Sequence, residues 1–169
     1  ESLKELLKRI SSKCQELLLD VPLLIKFSSD TSFENLEKVV QVAEDFELDG
    51  FVLCNTSMGR VNLKTPDEEI ANIGKGGLSG DPIFNKALER VRFVSKLVSG
   101  EKVIIGVGGI DSADKAYSMI KAGASLLQAY TGLIYQGPGF CRTVNLGLLK
   151  KLDQDGLKHV SEAIGLDNK

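Results

Sequence analysis

The chain has 169 residues, 43% of them hydrophobic and 26% charged, an ordinary soluble globular composition long enough for one core and for one domain or part of one. A net charge of -2 without a dense Lys/Arg block argues against nucleic acid as the main partner. No apolar run approaches the ~20 residues needed to span a bilayer, and no signal segment opens the chain.

The chain starts at Glu1 rather than Met, which raises the expectation of a segment upstream. Residues 2–18 are expected to be helical, because Leu3, Leu6, Leu7, Ile10, Cys14, Leu17 and Leu18 share one stripe while Lys4, Glu5, Lys8 and Arg9 lie off it. Cys14 is then a core residue. The three cysteines, Cys14, Cys54 and Cys141, are odd in number and lack metal-ligand spacing, and there is one histidine. Neither a disulfide framework nor a metal site is indicated, and a reducing compartment fits best. After Pro22, Leu23 to Ser28 reads as a buried strand in which Lys26 is the anomaly, since a cation inside a parallel sheet is costly without a partner. A lysine snorkelling out at the strand end is the alternative. Thr31 and Glu34 have capping-box spacing for a helix that turns Phe33, Leu36, Val40 and Ala43 to the sheet.

A second buried strand, Phe51 to Cys54, delivers Asn55, Thr56 and Ser57 to its carboxyl end. Asn55 offers a donor and an acceptor suited to a planar heterocycle, although asparagine is also common in turns after strands. Residues 60–80 show no sustained period, and a connection of that length reads as a lid, a binding loop or disorder. Asp81 and Pro82 open a helix carrying Phe84, Ala87, Leu88, Val91, Val94 and Val98, and Gly100 follows it.

The stretch Lys102 to Gly139 organises the rest. Val103 to Ile105 form an apolar β-branched run that breaks into Gly106-Val107-Gly108-Gly109, a strand ending in a turn that exposes backbone. A helix capped by Asp111 or Ser112 follows, with Ala113, Ala116, Met119 and Ile120 on one face and Gly123 at its stop. The next strand, Leu126 to Tyr130, ends in Thr131-Gly132. Right-handed parallel connection puts Gly108-Gly109 and Tyr130-Thr131 side by side at the carboxyl edge, where bare amides and a helix start suit a phosphate. Val144 to Leu152 is expected to form a further helix, and His159, without a Ser or Cys partner in view, is structural or on the surface.

The segments LLIKFSSD, FVLCNTSMGR, KGGLSG, VIIGVGGI, AGASLLQAYTGLIYQGPG and SEAIG, in that order, resemble the carboxyl-terminal part of class 2 dihydroorotate dehydrogenases, the quinone-reducing, membrane-associated flavoenzymes of pyrimidine (UMP) synthesis. The resemblance spans nearly the whole chain, and GGLSG and AGASLLQAYTG favour class 2. It implies an α/β fold, a (β/α)8 TIM barrel of which residues 1–169 supply about the second half, with no separate second domain. FMN contacts are then expected from Lys26, Cys54, Gly80, Gly108, Gly109, Tyr130 and Thr131, and dihydroorotate or orotate contacts from Asn55 and Thr56. Cys54 departs from the threonine often found there, a change that a backbone contact survives and a hydroxyl hydrogen bond does not. Lys26 acts as the electrostatic stabiliser of the flavin.

The resemblance implies no catalytic base in this chain: the serine that takes the C5 proton of dihydroorotate, while hydride leaves C6 for the flavin, belongs to the upstream half. So do the membrane and quinone helices, which imply peripheral membrane association, at the mitochondrial inner membrane in a eukaryote or the cytoplasmic face of the inner membrane in a bacterium. A half barrel exposes strand edges, so an upstream partner is expected. Two readings stay open beside this one: another FMN-barrel oxidoreductase, and a non-catalytic phosphate-binding half-barrel.

Overall fold

Residues 2–98 and 102–168 are described by the computed structural model of the protein. Among them four parallel strands alternate with helices: α1 (Leu3–Glu16), β1 (Leu24–Phe27), α2 (Phe33–Asp45), β2 (Gly50–Leu53), α3 (Asp67–Ile73), α4 (Phe84–Leu97), β3 (Val103–Val107), α5 (Ala113–Lys121), β4 (Leu126–Gln128), α6 (Thr131–Gln136), α7 (Phe140–Gln154) and α8 (Val160–Ala163). Short 3-10 turns cover Asp81–Ile83 and Leu166–Asn168.

The sheet runs β1-β2-β3-β4, each strand beside its predecessor in sequence. A doubly wound sheet reverses its order at a switch point; an order that only advances belongs to a barrel wall. Register sets two faces, because laterally paired residues point the same way and alternate residues point oppositely. Ile25, Phe51 and Ile104 share one row, and Phe27, Leu53 and Gly106 the next. These rows meet the helices, with Phe51, Leu53, Leu36, Val91, Val94 and Met119 sealed from solvent. Each such large apolar side chain contributes about 1.5–3 kcal/mol on burial. The opposite row is Lys26, Val52, Ile105 and Leu126. On it Lys26 and Leu126 are exposed and Val52 and Ile105 half-buried, so this face is open.

Several sequence expectations shift. α1 stops at Glu16 and buries only Leu7; Leu17 and Leu18 lie beyond it on the surface, and Cys14 is half-buried rather than core. β1 is an edge strand, not a buried one, and Lys26 on its open face is exposed. Ser32, not Thr31, caps α2, because the Thr31 amide closes a turn onto the Ser28 carbonyl while the Ser32 hydroxyl accepts from the Asn35 amide. Residues 60–80 contain α3, and Leu78 pairs antiparallel with Ser57. Asp81 and Pro82 form a 3-10 turn that runs into α4. Ser112 is the α5 cap. β4 ends at Gln128, so Tyr130 precedes α6 rather than closing a strand. α7 is longer than expected at both ends. His159 caps α8 through a ring nitrogen that accepts from the Ser161 amide, the structural role anticipated for it. Gly100 lies outside the described residues.

Candidate active site

At the carboxyl edge of the sheet the strand ends surround a cleft of about 320 Å³. Its wall includes all nine residues expected to form the site. Lys26 comes from β1; Cys54, Asn55 and Thr56 follow β2; Gly80 precedes the 3-10 turn; Gly108 and Gly109 follow β3; Tyr130 precedes α6 and Thr131 opens it. Ser79, Ile83, Val107 and Ala129 complete much of the wall.

Each position has a local cause. Asn55 donates its amide to the Phe27 carbonyl at 2.8 Å, which extends the β1–β2 pairing past the last ladder residue. The Asn55 side-chain oxygen then accepts from the Thr56 amide at 2.9 Å, leaving the carboxamide NH2 as the outward donor. Cys54 donates its amide to the Val107 carbonyl at 2.8 Å and is buried, and burial pushes its thiol up to about 12. It is a neutral side chain, not a nucleophile. Residues 60–80 return to Thr56: a Cβ at Gly77 would stand 2.1 Å from the Thr56 hydroxyl oxygen, so this close approach requires glycine.

Gly109 has φ +68, and a Cβ there would lie 2.6 Å from the Phe84 Cβ. Packing of this turn on α4 demands glycine whether or not a ligand binds. The amides of Gly109 and Thr131 have no hydrogen-bond partner among the described residues, and they leave two donors at the edge where an anion is expected. Thr131 also donates its hydroxyl to Ser79 at 3.0 Å, joining α6 to the loop before Gly80. Lys26 has no ion-pair partner among the described residues. These features fit an anionic, ring-bearing cofactor: unpaired amides for a phosphate, an uncompensated ammonium and an apolar flank from Ile83, Val107 and Ala129.

Two ionic clusters stand behind the wall, and neither was anticipated. In the first, the Asp30 carboxylate accepts from Lys86, from the Ser57 hydroxyl at 2.6 Å and from the Met58 amide at 2.7 Å. Those donors, Lys86 foremost, hold Asp30 well below the usual carboxylate range. In the second, Lys115 donates to Asp81 and, at 2.6 Å, to Asp111, tying the turn after Gly80 to the turn after Gly109. Burial works to lower the Lys115 pKa, but these two carboxylates outweigh it and raise it, while Lys115 depresses Asp81. Ser57 was expected at the carboxyl edge beside Asn55 and Thr56 and is turned instead to Asp30; Asp30, Lys86 and Lys115 carry no local signal until the fold brings their partners near. Among the described residues no group of side chains could hold a metal ion, and no helix is long and apolar enough to cross a membrane.

Residues 1–152 match the family model described as Dihydroorotate dehydrogenase. The chain is 41% identical over 165 residues to a dihydroorotate dehydrogenase (quinone) of Corynebacterium efficiens, covering 98% of this chain and 42% of that protein. It is 39% identical over 168 residues to the one of Rhodococcus erythropolis, covering 99% and 46%. The crystal structure of a dihydroorotate dehydrogenase from Eimeria tenella in complex with ferulenol superposes with a TM-score of 0.90 at 30% identity, covering 99% of this chain and 48% of that one. The chain spans about half the length of the curated relatives it matches.

Proposed function

The chain belongs to the dihydroorotate dehydrogenase family, and from that premise we propose that, within a complete barrel, it serves the oxidation of dihydroorotate to orotate in pyrimidine synthesis, with a quinone as final acceptor. Residues 1–169 then form one continuous part of a single barrel domain, and the other half supplies the remaining wall and the base. The observation that carries this reading is the convergence of nine residues, scattered from Lys26 to Thr131 in sequence, on one cleft at the carboxyl edge of a parallel sheet.

Bound in the cleft, FMN supplies the hydride acceptor for this oxidation. The chain's own residues bind and orient. The Gly109 and Thr131 amides donate to the phosphate, so that contacts remote from the chemistry position the reactive ring. Cys54 serves through its backbone and apolar bulk, because its thiol is buried and protonated. Lys26, on the open face, stabilises negative charge developing on the cofactor. Asn55 and Thr56 hold the pyrimidine. Proton removal from the substrate is assigned to the serine of the other half that the family resemblance implies, not to these side chains. The quinone acceptor places the complete enzyme at a membrane, through a segment other than these residues, at the mitochondrial inner membrane in a eukaryote or the cytoplasmic face of the inner membrane in a bacterium.

The test is made on the full-length enzyme. It is expected to purify with FMN and to reduce quinone with dihydroorotate. Asn55→Ala is expected to lose about tenfold or more in kcat/KM, the scale of a lost buried hydrogen bond, with FMN content unchanged. A colourless enzyme, or one inert toward dihydroorotate, overturns the reading.

A further inference from the structure

We propose that Lys86 is a positioning residue for the substrate: acting through Asp30 and Ser57, it fixes the segment Asn55–Thr56 at the cleft. The proposal rests on the reading of those two residues as pyrimidine contacts.

Asn55 and Thr56 sit past the end of β2, between the Asn55 amide bonded to the Phe27 carbonyl and the backbone pairing of Ser57 with Leu78. Three consecutive residues, Thr56 to Met58, are held in addition by side chains. The Ser29 hydroxyl donates to the Thr56 carbonyl at 3.0 Å. The Ser57 hydroxyl donates to Asp30 at 2.6 Å, and the other Asp30 oxygen takes the Met58 amide at 2.7 Å. Lys86 closes the set, donating to Asp30 and also to the Ser57 oxygen at 3.0 Å. Ser57 is 2% exposed, and its hydroxyl therefore has no water to fall back on. Its orientation is fixed by donating to the carboxylate and accepting from the ammonium and, at 3.2 Å, from the Gly59 amide.

Lys86 alone supplies this cluster's positive charge within ion-pair distance among the described residues. The same turn of α4 holds the preceding loop as well. Arg90, buried, donates to the Lys86 carbonyl at 2.9 Å and to the Thr31 carbonyl at 3.2 Å. The loops after β1 and β2 are thus referred to one helix, and that helix also packs against the Gly109 turn. The Lys86–Asp30 pair is about one-third exposed on each side, and such partly exposed pairs add little to global stability. Removing it leaves the fold standing and frees the segment that holds the substrate. Displacement on the order of 1 Å at a reacting centre costs about 100-fold in rate.

The experiment uses the full-length enzyme loaded with FMN. Orotate affinity is read from the perturbation of flavin absorbance, KM and kcat are measured for dihydroorotate, and FMN content and Tm serve as structural readouts. Lys86→Met is expected to weaken orotate binding and raise KM by about 10- to 100-fold, with kcat less affected and FMN content and Tm close to the parent. Lys86→Arg, which keeps the charge and donors, is expected to recover most of the loss. Ser57→Ala, which removes the hydroxyl on which the cluster closes, is expected to reproduce the methionine variant. Unchanged orotate affinity in Lys86→Met and Ser57→Ala overturns the proposal. So does a loss of orotate binding that merely tracks lost FMN and lowered Tm in both. If the parent enzyme itself fails to bind orotate, the assignment of Asn55 and Thr56 falls instead, a failure visible before any variant is made.

Discussion

At Asp30 three donors converge on one carboxylate, and the consequence is a defined response to acid. Its folded pKa lies below the ordinary value of about 3.9. A group depressed in this way, and about one-third exposed as Asp30 is, contributes a small stability that is fully present above the unfolded pKa and is lost as pH falls toward the folded one. In the full-length enzyme, the urea midpoint of the parent is therefore expected to fall more steeply than that of Asp30→Asn below about pH 5, with the two slopes equal near neutrality. Equal slopes throughout would mean that the carboxylate is not held by these donors. At this scale the strand-end glycines, the Asn-Thr pair and the intrastrand lysine stood out as unusual local chemistry, while Cys54 and the role of each cleft residue came only from the family resemblance. Asp30, Ser57 and Lys86 did not stand out as a cluster. Their meaning arises only when residues 30, 57 and 86 meet, and nothing local in the chain marks that meeting. Lys26 shows a different limit, since its place in an apolar run implied burial, whereas the face it occupies is open here.

The turns after Gly80 and Gly109 belong to different elements and are joined by a third. Lys115, in the first turn of α5, bonds Asp81 of the 3-10 turn and Asp111 of the loop after β3. Both carboxylates flank the edge where the phosphate is proposed to sit. Lys115→Met leaves them uncompensated and loosens the two turns together, and FMN affinity in the full-length enzyme is expected to fall about tenfold, as measured by flavin fluorescence titration. Retained affinity would show that the turns hold their places without the clamp. Helix and strand periods were readable because most elements bury one clean face, as Leu36, Val40 and Ala43 do on α2. Boundaries were less so. Ser32 displaced Thr31 as a cap because a turn had already taken the Thr31 amide, and α3 was missed because no residue of it is buried and it carries no apolar stripe. β4 is short because Ala129 and Tyr130 leave the sheet to line the cleft.

At the largest scale, β1 and β4 each present an unpaired edge among the described residues, and Leu126 at 56% exposure marks the open inner row. Unpaired edges and a half-covered apolar face favour association. The 169-residue chain purified alone is expected to self-associate and to lack dihydroorotate oxidation, and co-expression with the remainder of the barrel is expected to return a yellow, soluble assembly. Analytical ultracentrifugation and flavin absorbance decide it: an isolated chain that is monomeric and active would contradict the half-barrel reading. Alternation of buried strands and helices with right-handed connection made parallel α/β units legible, whereas the half barrel followed only from the family resemblance of the motifs. What composition and periodicity could not supply was the opposite wall, since inward residues such as Val52 and Ile105 read as core wherever their partners lie.

The steadily advancing strand order also bears on how the chain reaches its native state. Each of β2, β3 and β4 pairs with the strand made just before it, so every pairing closes only the loop between neighbours in sequence, the smallest separation open to a parallel sheet, which by its nature forms slowly. The loop between β2 and β3 is about twice as long as that between β1 and β2, yet doubling a loop adds only about 0.6 kcal/mol to the entropy of closure. The excursion that carries Gly77, Ser79 and Gly80 to the cleft is thus nearly free in folding terms. Ahead of those fixed residues, around α3, which buries no side chain, its length is open to drift while the order of assembly stays the same.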